Sequence, residues 1–306
     1  CTFCHRRLLH SHNATWYWRP TTMDPHPSQI PLTLDSPPKL IGPFTEILTL
    51  DGLSLNGPIK DDMVSITPQG GVLIERGRVV DVGAFSIMCK QPHVQIQEVT
   101  QPSVLLPGFV DAHTHLCYAG SRARDYALRV AGVSYMDIAK RGGGILDTVI
   151  KTRAASEQDL QQSLKLLCDQ HLKKGITTCE IKSGYGLNVD DELKMLRVIN
   201  AIKSSHALDI VPTFLAAHVR PKEFEDAKTY LEFLVRELLP LVKEQGLANR
   251  VDIFVEDGAF GYDMARAYLE QARALGFSLV VHADQFTVEG SKLAADLNAV
   301  SADHLE

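Results

Sequence analysis

No apolar run in this sequence approaches the roughly 20 residues that a membrane span requires, so membrane insertion is not expected. The amino-terminal stretch also lacks the apolar core of a secretory signal. No basic block is present, and the net charge is −6, which argues against nucleic acid as a partner. The six cysteines, at 1, 4, 89, 117, 168 and 179, form no dense framework. They suit a reducing, cytoplasmic setting better than an extracellular one. What remains, 45% hydrophobic and 22% charged residues over 306 positions, is an ordinary globular composition with enough chain for one large or two smaller cores.

Residues 1–38, rich in Pro, Ser, Thr and His, read as a disordered leader. Within them Cys1-Thr2-Phe3-Cys4-His5 formally matches a haem-attachment pattern. It has no second Cys pair, no export signal and no helical surroundings, so neither haem nor structural zinc is expected there. Met23 stands as an alternative start. Residues 39–104 read as a small β domain. Its strand Glu46–Leu50 is followed by a hairpin over Val72–Val80, with the turn at Arg76-Gly77.

From residue 105 to 306 the pattern changes to strands alternating with amphipathic helices. Strands are expected at 105–113, 177–182, 209–215, 251–256, 277–282 and 299–304, and helices at 159–174, 190–204, 224–245 and 263–275. Repeated βα units predict a parallel sheet. The fold class is therefore α/β, a (β/α)8 TIM-like barrel of which six of eight strands are present. On this reading the chain is a fragment, or an incomplete and inactive piece that folds poorly alone.

Barrel active sites lie at the carboxyl ends of the strands, and there the polar residues concentrate. His113 and His115 stand two apart after an apolar run, so they project to one side of an extended strand. Two neutral imidazoles held this way form half of a divalent metal site. Further histidines close strand three (His218), strand five (His282) and strand six (His304). A hydrolytic zinc site takes three protein ligands plus a water whose pKa it lowers to about 7. His113, His115 and His282 can supply three nitrogens, with His304 placed to orient or deprotonate the water. His93, His171 and His206 lie off the strand ends and read as structural.

The constellation resembles the amidohydrolase superfamily, which pairs a β domain with a metal-dependent barrel. That family carries His-x-His on strand one, His on strands five and six, and Asp on strand eight. The resemblance extends through Gly120-Ser121-Arg122, Ala131-Gly132-Val133-Ser134-Tyr135, Gly142–Leu146, Thr152-Arg153-Ala154-Ala155-Ser156, Glu180–Leu187 and Val300–Leu305. These stretches look like a branch that opens a cyclic amide bearing a propionate. The resemblance implies one divalent ion, zinc or iron, held by His113, His115 and His282, with the strand-eight Asp beyond this chain. It implies substrate contacts from Arg122, Tyr135, Tyr185 and His218, and proton transfer by His304. A catalytic contribution is also assigned at Gln285, where some members would carry Glu. Gln cannot act as a base, but it can hydrogen-bond a substrate ring. Lys182, sharing a face with Glu180, is not assigned as a ligand, and Gly142–Gly144 read either as a loop over the site or as a plain turn. The expected partner is a small molecule, and a homodimer is the expected assembly. Another cyclic amidohydrolase or a deaminase on the same barrel is the alternative activity.

Overall fold

The computed structural model describes residues 37–54, 58–134, 137, 138 and 142–306. Nearly all of the expected leader, including Cys1–His5 and Met23, lies outside the described residues, as does Tyr135. Contacts divide the described chain into two compact units, 37–108 and 109–306.

The first unit is a sheet in which β1 (Lys39–Leu48) lies between β2 (Ile66–Glu75) and β4 (Gln95–Glu98), with β3 (Arg78–Ala84) beyond β2. The short α1 (Phe85–Met88) follows β3, and β5 (Val104–Leu105) pairs with β1 in parallel. The β2–β3 turn falls at Arg76-Gly77. Both residues take positive φ, 51° and 73°, which is the two-residue turn whose twist matches the strands it joins.

The second unit is a parallel sheet of six strands in sequence order: β6 (Phe109–Asp111), β7 (Ile176–Lys182), β8 (Asp209–Ala217), β9 (Arg250–Phe254), β10 (Ser278–Ala283) and β11 (Ser301–His304). Helices α2 (Ala123–Val130), α3 (Ile145–Ala154) and α4 (Glu157–Lys173) separate β6 from β7, and α5 (Val189–Ser205) separates β7 from β8. Helices α6 (Ala227–Phe233) and α7 (Leu239–Glu244) precede β9, α8 (Tyr262–Ala274) precedes β10, and α9 (Gly290–Asp296) precedes β11. Leu160, Leu164 and Cys168 of α4 and Leu196, Ile199 and Ile202 of α5 are buried in one core with Cys179, Ile181 and Phe214 of the strands. This is the repeating βα order of a TIM-type barrel. Among the described residues no helix is long and apolar enough to cross a membrane.

Two expected elements are corrected. The strand over 105–113 is two strands, β5 and β6, each paired in a different sheet. Pro107 between them has no N–H to give to a ladder. His113 and His115 therefore lie just past the end of the strand. Lys182 N donates to Thr114 O at 3.0 Å, and Thr114 Oγ1 donates to Glu180 O at 2.6 Å, so β7 still fixes this segment. The helix over 224–245 is interrupted by a π-helical turn at Leu234–Leu238. Pro240 sits in the first turn of α7, where it cannot donate to residue 236 and would crowd its carbonyl.

Helix α4 starts in a capping box. Ser156 Oγ accepts from Asp159 N at 3.1 Å, and Asp159 Oδ2 accepts from Ser156 N at 3.4 Å. Ser156→Ala is expected to lower stability by about 1 kcal/mol, read as a lower urea midpoint at unchanged slope.

Candidate metal centre

The carboxyl ends of four of the six strands, β6, β8, β10 and β11, bring five histidines together. His113 and His282 rings lie 4.4 Å apart between centroids, His113 and His304 4.8 Å, and His115 and His282 5.2 Å. His218 stacks on His115 at 5.0 Å. A shift of register between β8 and β9 at Phe214/Ala217 precedes His218, the kind of irregularity that re-aims a side chain at a strand end. Nε2 of His115 is 3.2 Å from Nε2 of His113 and 3.2 Å from Nε2 of His282.

Protonation follows from the surroundings. Burial holds His115 and His282 well below the usual histidine range, reinforced at His115 by the neighbouring imidazoles and at His282 first by the Lys182 charge and then by the imidazoles. Burial lowers His218 to about 4. Its Nδ1 donates to Gly184 O at 3.1 Å, so Nε2 carries the lone pair. Desolvation by its neighbours also lowers His304, although that residue is exposed. His113 Nδ1 donates to Asp303 Oδ2 at 2.7 Å. His282 Nδ1 lies 2.7 Å from Asp252 Oδ2, off the line of a good hydrogen bond.

These facts test whether the site suits a cation. With Nδ1 of His113 spent on Asp303, its Nε2 lone pair faces the other rings. One proton on His115 Nε2 could satisfy only one of its two neighbours, and His115 Nδ1 is itself buried without a hydrogen-bond partner. Tetrahedral bonds of 2.0–2.1 Å to zinc would separate ligand nitrogens by about 3.3 Å. The two spacings about His115 Nε2, 3.2 Å to His113 and 3.2 Å to His282, match that value, so these donors suit a divalent ion. Overlapping groups able to hold an ion are His113/His282/His304 and His115/His218/His282.

Tyr185 is positioned by the loop joining β7 to α5. Its ring lies 5.4 Å from His218 and 5.8 Å from His115. Glu192, fully buried in α5, accepts from the backbone N–H groups of Gly184 (3.2 Å), Gly186 (2.8 Å) and Leu187 (2.9 Å). Burial pushes this carboxyl up, and the donors oppose it. Gly186 has no room for a Cβ, which would run into the backbone of Asp191 and Glu192. Arg153 Nε donates to Gly186 O at 2.6 Å. The Arg-Ala-Ala-Ser stretch thus acts on this loop and on the cap of α4, at a remove from the imidazoles.

The loop after β10 carries Gln285 and is pinned by Glu256, which accepts from Phe286 N at 2.8 Å, Thr287 N at 3.2 Å and Thr287 Oγ1 at 2.5 Å. Asp284, His304 and Leu305 take left-handed φ of 52°, 76° and 61°. Such strain in non-glycine residues clusters where a site constrains the backbone. Arg122 is held through Nε by Asp125 at 2.7 Å, and Gly144 N donates to the same carboxylate oxygen at 2.9 Å. Gly142–Gly144 is therefore a tied turn.

Lys182 is fully buried, with Nζ 2.7 Å from Glu180 Oε2, 2.8 Å from Asp252 Oδ2 and 3.2 Å from Asp303 Oδ2. Burial alone would lower it, but the three carboxylates outweigh burial and raise it. Its three carboxylate partners favour the charged ammonium form. Asp252, Asp303 and Glu192 carry no role in the sequence reading. The signal for the two aspartates was a charge inside an apolar parallel strand, Val251-Asp252-Ile253 and Ala302-Asp303, where both faces are normally apolar. His171 lies 3.4 Å from Asp111, and His206 bonds Asp169 at 3.0 Å; neither makes a ring contact with the five imidazoles among the described residues.

Comparison with known proteins defines the class. A family model described as the amidohydrolase family matches residues 104–302, and the chain belongs to this family. Among curated relatives, imidazolonepropionase of Symbiobacterium thermophilum is 44% identical over 267 residues, 85% of this chain and 62% of that protein. Imidazolonepropionase of Caldanaerobacter subterraneus is 50% identical over 205 residues, 66% and 49% of the two chains. The chain thus spans 62% and 49% of the lengths of these two relatives. Guanine deaminase of E. coli shares the fold at a TM-score of 0.51, with 13% identity over 85% of this chain and 56% of that one.

Proposed function

We propose that the protein hydrolyses the lactam carbon–nitrogen bond of 4-imidazolone-5-propanoate to N-formimidoyl-L-glutamate. The supporting observation is that Nε2 of His115 lies 3.2 Å from Nε2 of both His113 and His282, in a chain whose relatives carry that enzyme's name. His113, His115 and His282 would hold one divalent ion, zinc or iron, since imidazole accepts both. When bound, the ion supplies Lewis acidity and a water of lowered pKa.

The chain's own residues do the rest. His304, whose ring lies 4.8 Å from that of His113, takes a proton from the attacking water and gives it to the departing amide nitrogen as the carbon–nitrogen bond breaks. His218 offers Nε2 as an acceptor to a ring N–H of the substrate, because its Nδ1 is committed to Gly184. Tyr185 closes the same side against water. Gln285 hydrogen-bonds the substrate ring without acting as a base. Arg122, held at Nε by Asp125 and more loosely at Nη1 by Thr148 at 3.5 Å, offers Nη2 to the propionate carboxylate.

Disappearance of 4-imidazolone-5-propanoate, run beside ammonia release from purines and pyrimidines, tests this reading. Turnover of the imidazolone alone is expected; deamination alone would replace the proposal with the alternative activity. Arg122→Gln is expected to raise KM about 10- to 100-fold with a smaller change in kcat, the cost of one charge-assisted contact. An unchanged KM would remove Arg122 from the carboxylate site.

A further inference from the structure

We infer that Lys182 is a positioning residue for the metal centre: one buried ammonium ties together the two carboxylates that back the imidazoles of His113 and His282. The inference rests on the metal reading proposed above. The geometry is a pair of arms sharing one hub. Asp303 Oδ2 receives both His113 Nδ1, at 2.7 Å, and Lys182 Nζ, at 3.2 Å. Asp252 Oδ2 lies 2.8 Å from Lys182 Nζ and 2.7 Å from His282 Nδ1. In each arm the same oxygen faces both the lysine and the imidazole. Asp252 is fixed further because His282 N donates to its Oδ1 at 3.1 Å, and Ser301 Oγ donates to Asp303 Oδ1.

Glu180, the third carboxylate on the ammonium, faces Thr213 Oγ1 at 2.5 Å. It completes the lysine's coordination through a hydroxyl on β8. Carboxylates behind ligand histidines fix ring orientation and tautomer. Here their own placement depends on one cation, because two buried aspartates with no ammonium between them repel and lose their shared geometry. Fixed in this way, the Asp303 arm directs the Nε2 lone pair of His113 toward His115, and the Asp252 arm holds the His282 ring beside them.

Two explanations of Lys182 predict opposite signs. A positive charge that only repels a nearby metal ion should, on removal, leave tighter binding. A hub that orients ligands should, on removal, leave weaker binding. The test is Zn²⁺ affinity of the full chain by competition with a chromophoric chelator, with Co²⁺ absorption as a report on coordination geometry and circular dichroism as a check of fold. Lys182→Met is expected to bind Zn²⁺ at least about 10-fold more weakly, the usual scale for losing such support, and to show altered Co²⁺ d–d bands.

The double variant Lys182→Met/Glu180→Gln keeps the local net charge and favours folding; it should lose affinity to the same extent. Glu180→Gln alone should stay within about 3-fold of wild type, since Glu180 backs neither His113 nor His282. Asp303→Asn cuts one arm with little change in shape and should also weaken binding, which keeps the inference testable if lysine variants misfold. Zn²⁺ affinity equal to or above wild type in the double variant or in Asp303→Asn overturns it. Wild-type protein that binds no Zn²⁺ overturns the metal reading and this inference together, whereas normal wild-type binding with unaffected variants overturns this inference alone.

Discussion

His282→Ala abolishes stoichiometric metal binding and lowers kcat/KM by about 10³-fold or more; this is the largest effect expected of any single substitution. The reason is geometric. Nε2 of His282 and Nε2 of His113 both lie 3.2 Å from Nε2 of His115, so removing one leaves two nitrogens where an open catalytic site needs three protein ligands. Without a held ion, a water near neutral pH loses its activation. Metal content measured after dialysis checks the first half, and steady-state hydrolysis checks the second. His206→Asn is the control. That ring is buried against Asp169 at 3.0 Å and Leu208 N at 3.0 Å, with no ring contact to the five imidazoles among the described residues, so the variant should keep its metal. A His282→Ala protein with full metal and near-normal turnover would remove His282 from the coordination sphere.

Glu192→Ala should cost about 3–5 kcal/mol of stability, a large share of the 5–15 kcal/mol typical of a folded protein. Three backbone N–H groups, of Gly184, Gly186 and Leu187, accept no substitute for its carboxylate in a fully buried loop. Each buried donor left unpaired costs about 1–3 kcal/mol. The gain from no longer burying a carboxylate offsets part of that sum. Glu192→Gln keeps one acceptor oxygen and should lose about half as much. Because Gly184 O also receives His218 Nδ1, the glutamine variant should raise KM more than it lowers kcat. A urea midpoint at wild-type position for Glu192→Ala would contradict the clamp.

The parallel βα architecture was legible because its signals are periodic: apolar strands of five to nine residues between amphipathic helices dominated by Leu160/Leu164 and Leu193/Leu196 spacing. Single prolines broke the two elements that periodicity overextended. Pro107 ended one ladder before β6, and Pro240 forced the π turn between α6 and α7. Neither changes the average hydrophobic pattern, so neither is visible to it.

At the site, histidines at strand ends stood out because barrel chemistry gathers at those ends. The convergence of His115 with His113 and His282 crosses 167 positions of sequence in one case and follows from the sheet order. The buried layer beneath was missed. Lys182 was legible only as sharing a face with Glu180, Asp252 and Asp303 each read as one charge in a strand, and only the neighbouring strands show that the three meet. Glu192 was hidden differently. In the first turn of α5 it resembles an ordinary acidic residue favoured by the helix dipole, although it is turned inward beneath the loop.

X-ray absorption at the zinc edge of the zinc-loaded protein tests the central claim most directly. The account predicts a first shell containing three imidazole nitrogens at about 2.0–2.1 Å and no sulfur. A shell with one imidazole or none, or with a thiolate at about 2.3 Å, would contradict it.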